Sequence, residues 1–252
     1  MTDATPTGHN RTGIQMSPFD SRAMQNVSGN VVNVRIDDPA IADLRGAYIT
    51  SADELGSVPL PVTVRGAARA GNGPPNGSAV HVLLDKLGER LAFERTATRL
   101  YDALITKCDV MPDDSFGMTV ADLQEIRDDE ARHFLQVAEA IESIGGDPTS
   151  QTPSADLTGV ETMGLLQVLY DPRTTIAQSL HALLTAELAD QVGWETLIAL
   201  AEEHGQYDMV GSFSMAQQEE LGHLLMIQSW YEESIGIPGT DFDDDELDAA
   251  PS

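Results

Sequence analysis

Four stretches of the chain carry apolar residues at alternating steps of three and four. The first reads Leu84, Leu87, Leu91, Glu94, Thr98, Tyr101, Ile105, and the second Leu123, Ile126, Glu130, His133, Val137, Ala140, Ile144. The third reads Ile176, Leu180, Leu183, Glu187, Asp190, Trp194, Leu197, and the fourth Met209, Phe213, Ala216, Glu220, His223, Ile227, Trp230. That spacing places each set on one face of an α-helix. Each face is interrupted by a glutamate. On the second and fourth, a histidine follows three residues later, in Glu130-Ala131-Arg132-His133 and Glu220-Leu221-Gly222-His223. A charged group on a buried face is costly to desolvate unless something pairs with it.

Punctuation along the chain sets the bounds of these helices. The first is predicted over about 79–107 with Ser78 as N-cap. Thr119-Val120-Ala121-Asp122 reads as a capping-box start, with Asp in place of the usual Glu or Gln, and Gly145-Gly146 ends the second helix after Ile144. Asp171-Pro172 is expected to open the third helix as N-cap and first helical residue, and His204-Gly205 to close it. The fourth is predicted over about 207–234, ending before Gly236. The connection over 145–172 is long for a compact domain. It is needed if the second and third helices run parallel, because the chain must then cross the length of the bundle. Residues 160–170 are apolar enough for a short crossing helix.

The fold expected is therefore all-α: a four-helix bundle over 79–236, with a long crossover between its second and third helices. Residues 1–78 lack sustained helical periodicity, are rich in Gly, Pro, Ser, Thr and Asn, and read as an extended or partly disordered N-terminal arm. Residues 237–252 read as a solvated acidic tail. An internal echo relates the halves. Each contributes a helix with one central glutamate and then a Glu-x-x-His helix, which suggests two hairpins about a pseudo-twofold axis.

Composition narrows the partners. The chain of 252 residues has 41 acidic against 14 basic residues and a net charge of −27. Lys86 and Lys107 are its lysines; the other basic residues are arginines. Such acidity fits a cytoplasmic protein of a high-salt organism, where concentrated ions screen self-repulsion, or else an acidic partner surface. It argues against nucleic acid and anionic membranes as partners. Cys108 is the one cysteine, which excludes an internal disulfide and a cysteine-ligated metal such as a rubredoxin-type iron centre. No basic region followed by an apolar run marks the N-terminus, so no signal peptide is expected, and the sequons at Asn10, Asn26 and Asn76 are read as chance.

The chemistry follows from spacing. Glu and His three apart on a helix lie about 4.5 Å apart along its axis and nearly aligned. Six ligands from four helices, Glu94, Glu130, His133, Glu187, Glu220 and His223, suit two cations, and four carboxylates balance two divalent ions. Carboxylate with imidazole favours iron first and manganese second, with zinc binding still open. Each Glu-x-x-His pair can grip one metal side by side, or Glu130 and Glu220 can bridge while the histidines terminate, with Glu94 and Glu187 then terminal. Asp190, one turn beyond Glu187, is a candidate outer acceptor for a histidine or an extra ligand; a polar residue at the stripe's edge is the plainer reading. Tyr101 and Trp194 are candidate hydrogen-bond or electron donors near the centre, against plain core packing. Arg95, Arg99 and Arg132 lie off the stripes.

These residues resemble the ferritin-like superfamily of di-iron and di-manganese carboxylate proteins over about 79–235. Glu94 matches the single glutamate of the family's first helix, Glu130 and His133 the second-helix motif, Glu187 the third helix, and Glu220 and His223 the fourth. Two complete Glu-x-x-His motifs look more like rubrerythrins and bacterioferritins than like classical ferritins. The resemblance implies an oxidoreductase in which two metal ions react with peroxide or O2 in a peroxidase, catalase or ferroxidase role, served by an external electron donor. Two other readings stay open: an iron-storage protein, and an interaction module stabilised by metal without turnover. Assembly into a homo-oligomer, dimer or larger, is compatible with each.

Overall fold

The structure is a computed structural model that describes residues 39–53, 55–58, 79–112 and 117–238, together with positions 22 and 26. Among the described residues the regular secondary structure is helical: α1 (Pro39–Ser51), α2 (Ala79–Val110), α3 (Val120–Ser143), α4 (Pro153–Glu161), α5 (Met163–Tyr170), α6 (Ile176–Glu203) and α7 (Tyr207–Ser234). The chain divides into two compact units, Met1–Glu54 and Leu55–Ser252. In the first, α1 falls where the pattern gave no reason to expect a helix. Leu44, Tyr48 and Ile49 on it are exposed. The Ser78 cap, most of the rest of the arm and the acidic tail from residue 239 on lie outside the described residues.

In the second unit α2 packs on α3, α6 on α7, α2 on α6, and α3 on α7. The predicted faces are the buried ones. On α3 they are Leu123, Ile126, Glu130, His133, Val137 and Ala140, joined by Ile141. On α7 all seven stripe residues are buried. The apolar core forms two clusters. One gathers Leu100, Tyr101 and Leu104 of α2, Leu123 and Ile126 of α3, Leu180 and Leu183 of α6, and Ile227 and Trp230 of α7. The other gathers Leu84, Leu87 and Leu91 of α2, Val137 and Ile141 of α3, Trp194 and Leu197 of α6, and Met209 and Phe213 of α7. The order in which each helix visits the clusters gives its direction. α3 and α6 both run from the first cluster to the second, whereas α2 and α7 run from the second to the first. The glutamates and histidines lie between the two apolar clusters along every helix.

The local signals explain most of the bounds. Thr119 and Asp122 form the reciprocal capping box that opens α3. Gly145 and Gly205 follow the ends of α3 and α6 with φ of 86° and 65°, the left-handed conformation that glycine adopts without strain. Two expectations need correction. The connection holds two short helices rather than one, because Thr152 caps α4 with Pro153 in its first turn, well before residue 160. Asp171-Pro172 does not open α6. Asp171 ends α5, and its carboxylate accepts from the backbone N–H of Arg173 at 2.9 Å. The opening falls to Thr175, whose side chain forms a capping box with Gln178. The buried Lys107 fastens α2 to this connection, its Nζ donating to Thr174 Oγ1 at 2.5 Å and Ser179 Oγ at 2.9 Å. Among the described residues no helix is long and apolar enough to cross a membrane.

Candidate metal centre

The six predicted ligands converge. Glu94, Glu130, His133 and Glu220 form one group, and Glu130, Glu187, Glu220 and His223 a second; within each, one ligand atom per residue lies within 4.8 Å of the others. Glu130 and Glu220 belong to both groups, while Glu94 and Glu187 belong to one each. All six side chains are buried. This buried set of carboxylates and imidazoles could hold a metal ion.

Each imidazole is aimed by what it touches at either nitrogen. His133 Nδ1 faces Glu220 Oε1 at 2.6 Å, without the alignment of a hydrogen bond, and its Nε2 meets Glu219 Oε2 at 2.7 Å. His223 Nδ1 faces Glu220 Oε2 at 3.1 Å and Glu130 Oε1 at 3.6 Å, and its Nε2 meets Asp129 Oδ2 at 3.3 Å. The outer acceptors are therefore Asp129 and Glu219, each the acid just before a candidate ligand glutamate, and each reaches the histidine of the other helix. Arg132 joins them, donating to Asp129 Oδ1 at 2.5 Å and to Glu219 Oε2 at 2.9 Å. Such partners fix ring orientation and raise the basicity of the inward nitrogen.

Asp190 does not take the outer-acceptor role. It is paired with Arg90, whose buried guanidinium also donates to Glu94 Oε1 at 3.2 Å. Arg90 was not among the arginines picked out by sequence, and it is the guanidinium that enters the core beside the site. Gly193 on α6 makes room for it, because a Cβ there would stand 1.7 Å from Arg90 Nη2. Tyr101 donates its hydroxyl to Glu187 Oε1 at 2.5 Å. The indole of Trp194 packs edge-on against the His133 ring at 5.6 Å.

Protonation follows from burial and crowding. Burial, opposed by Arg90 and reinforced by Glu220, raises the Glu94 carboxyl from 4.5 to about 7. Burial and the Glu220 carboxylate push Glu187 up to about 8. The same two causes hold Glu130 well above the carboxylate range. Glu220 goes the other way, to about 2, because contacts with both histidines outweigh the effect of its burial. Burial lowers both histidines, but their acidic neighbours outweigh it and raise them. Four carboxyl groups this close cannot all ionise without added cations.

Glu94 Oε2, both oxygens of Glu130, Glu187 Oε2 and Glu220 Oε1 are buried without a hydrogen-bond partner. Buried polar atoms of this kind are normally satisfied. These oxygens sit together and have imidazole nitrogens beside them, a donor set that fits a metal ion. No family model, curated protein or solved structure matches the chain.

Proposed function

We propose that the chain is a ferritin-like four-helix bundle, formed by α2, α3, α6 and α7 with α4 and α5 in the crossover. In this reading it holds two metal ions, iron first and manganese second, and acts as an oxidoreductase on peroxide or O2. The observation that carries the reading is the pair of donor groups sharing Glu130 and Glu220, with their unpaired oxygens, in an otherwise apolar interior. The common direction of α3 and α6 supports the crossover.

When bound, the ions would supply redox capacity toward peroxide or O2, with an external donor restoring their electrons. The chain does the rest. Glu130 and Glu220, common to both groups, would hold both ions, and Glu94 with His133 and Glu187 with His223 would complete the two sets. Asp129 and Glu219 keep both imidazoles turned inward. Tyr101 and Arg90 each hold one oxygen of a terminal glutamate, leaving the other free to bind. The two apolar clusters exclude bulk water, which strengthens every charge interaction between them.

The test is peroxide consumption by protein stripped with chelator and reloaded with Fe(II) or Mn(II). Reloaded wild type should consume peroxide, while stripped protein and reloaded Glu130→Ala should not. Full activity in the stripped protein would reject the reading.

A further inference from the structure

The two terminal glutamates are held differently. Each has one oxygen engaged and one without a hydrogen-bond partner. For Glu187 the donor is the neutral hydroxyl of Tyr101; for Glu94 it is the guanidinium of Arg90. Arg90 is only 5 % exposed and tightly seated. Its guanidinium carbon lies 4.7 Å from the Phe93 ring centre and 5.5 Å from that of Trp194, and Nη2 fills the space that the missing Cβ of Gly193 leaves. Asp190 balances its charge, yet a guanidinium nitrogen makes the contact with Glu94.

A cation held by Glu94, Glu130, His133 and Glu220 must therefore sit beside a fixed positive charge. It must also share a carboxylate whose electron density is already drawn to that charge. Like charges in a dry interior repel strongly. The group containing Glu187 and His223 carries no such burden, since a phenol hydroxyl is neutral. We infer that Arg90, positioned by Asp190 and Gly193, makes the two metal positions unequal, the one at Glu94 being the weaker and the first to release its ion. This rests on the dinuclear reading above and adds which position exchanges and why. Arg90 is a positioning residue that acts through Glu94.

The test is calorimetric titration of the chelator-stripped full chain with Fe(II) under anaerobic conditions. Wild type should bind two ions in steps whose Kd values differ by at least about tenfold. Glu94→Gln should remove the weaker step and Glu187→Gln the tighter one. In Arg90→Gln/Asp190→Asn an amide pair replaces the ion pair, and the weaker step should tighten to within about threefold of the other, which stays unchanged. Arg90→Lys, which keeps the charge, should keep the separation; a merely structural role would move both steps together. If the double variant does not fold, the two glutamine variants decide the assignment by themselves. Two ions bound equally in wild type, or loss of the tighter step in Glu94→Gln, would overturn this inference and leave the dinuclear centre standing. No Fe(II) binding at all would overturn both.

Discussion

Removing metal should leave a protein that loses stability as pH rises toward and past neutrality. The unfolded chain ionises Glu94 and Glu187 near 4.5, whereas the fold holds their protons up to about 7 and about 8. Between those limits the folded state binds more protons than the unfolded state, so the free energy of unfolding falls as pH rises. From 4.5 to pH 7 the window is about 2.5 pH units for each carboxyl, and at roughly 1.4 kcal/mol per unit each costs about 3 kcal/mol. The groups are coupled through Glu130 and Glu220, so together they cost less than twice that. The raised histidines act in the same direction: their stabilisation is complete below 6.5 and is lost as pH rises through their folded values. Glu220 contributes stability that is present above 4.5 and lost only toward about 2, outside this range. Against a typical domain stability of about 5–15 kcal/mol the loss is large. Thermal or urea unfolding of stripped protein between pH 5.5 and 8.5, at high salt to screen the net charge of −27, measures it. Stability should fall steeply in stripped protein, and much less with Fe(II) or Mn(II) bound. Glu94→Gln/Glu187→Gln should flatten the stripped profile. A flat profile in stripped wild type, or an unchanged slope in the double variant, would refute the reasoning.

Three further outcomes are expected. Asp129→Asn or Glu219→Gln frees one imidazole from its outer acceptor and should weaken Fe(II) binding by about 10–100-fold, read by titration, with little change in melting temperature. Tyr101→Phe removes the donor to Glu187 Oε1 and should cost about 1–3 kcal/mol in urea unfolding of the stripped protein. Gly193→Ala drives a methyl into the Arg90 guanidinium and should destabilise by about 1–3 kcal/mol, whereas Gly211→Ala, where a Cβ meets nothing within 4 Å, should be neutral or stabilising by up to about 1 kcal/mol.

The helices were legible because each long one carries an apolar stripe at helical spacing, and the candidate ligands because they are charged or imidazole residues interrupting it. What stayed hidden depends on contacts between helices. Arg90 sits one turn before Glu94, and its burial is possible only because residue 193, on a different helix, is glycine. Asp129 and Glu219 look like solvated acids in their own helices, and their role appears only when α3 and α7 face each other. A signal for them was present all the same: both motifs read acid-Glu-x-x-His, and the repeated leading acid is as regular as the ligands. Asp171-Pro172 has the form of a helix start, but the downstream Thr175–Gln178 box supplies two reciprocal hydrogen bonds, while Asp171 is engaged with Arg173. α1 escaped because a helix with exposed Leu44, Tyr48 and Ile49 leaves no one-sided apolar stripe to read.

The strongest competitor to a metal centre is a buried network of ion pairs, and the charge count weighs against it. Five buried carboxyl groups, Glu94, Glu130, Glu187, Glu220 and Asp190, face one buried guanidinium, that of Arg90, and two imidazoles. Arg90 is already divided between Glu94 and Asp190. His223 meets one oxygen of Glu220 and approaches one of Glu130, yet Glu220 Oε1 and both Glu130 oxygens still lack a hydrogen bond. A network selected for stability would match its donors to its acceptors, since a half-satisfied polar cluster is worse than an apolar core. At the site the carboxylate oxygens without a hydrogen bond outnumber the nitrogens without one, His133 Nδ1 and the neighbouring Trp194 Nε1, and they are concentrated where the two donor groups share Glu130 and Glu220. Protons can neutralise that surplus as far as neutrality, with Glu94 and Glu187 protonated up to about 7 and about 8, whereas bound cations would neutralise it at higher pH as well. The same shortage of internal donors that makes the stripped protein fragile would leave the oxygens free to bind two ions.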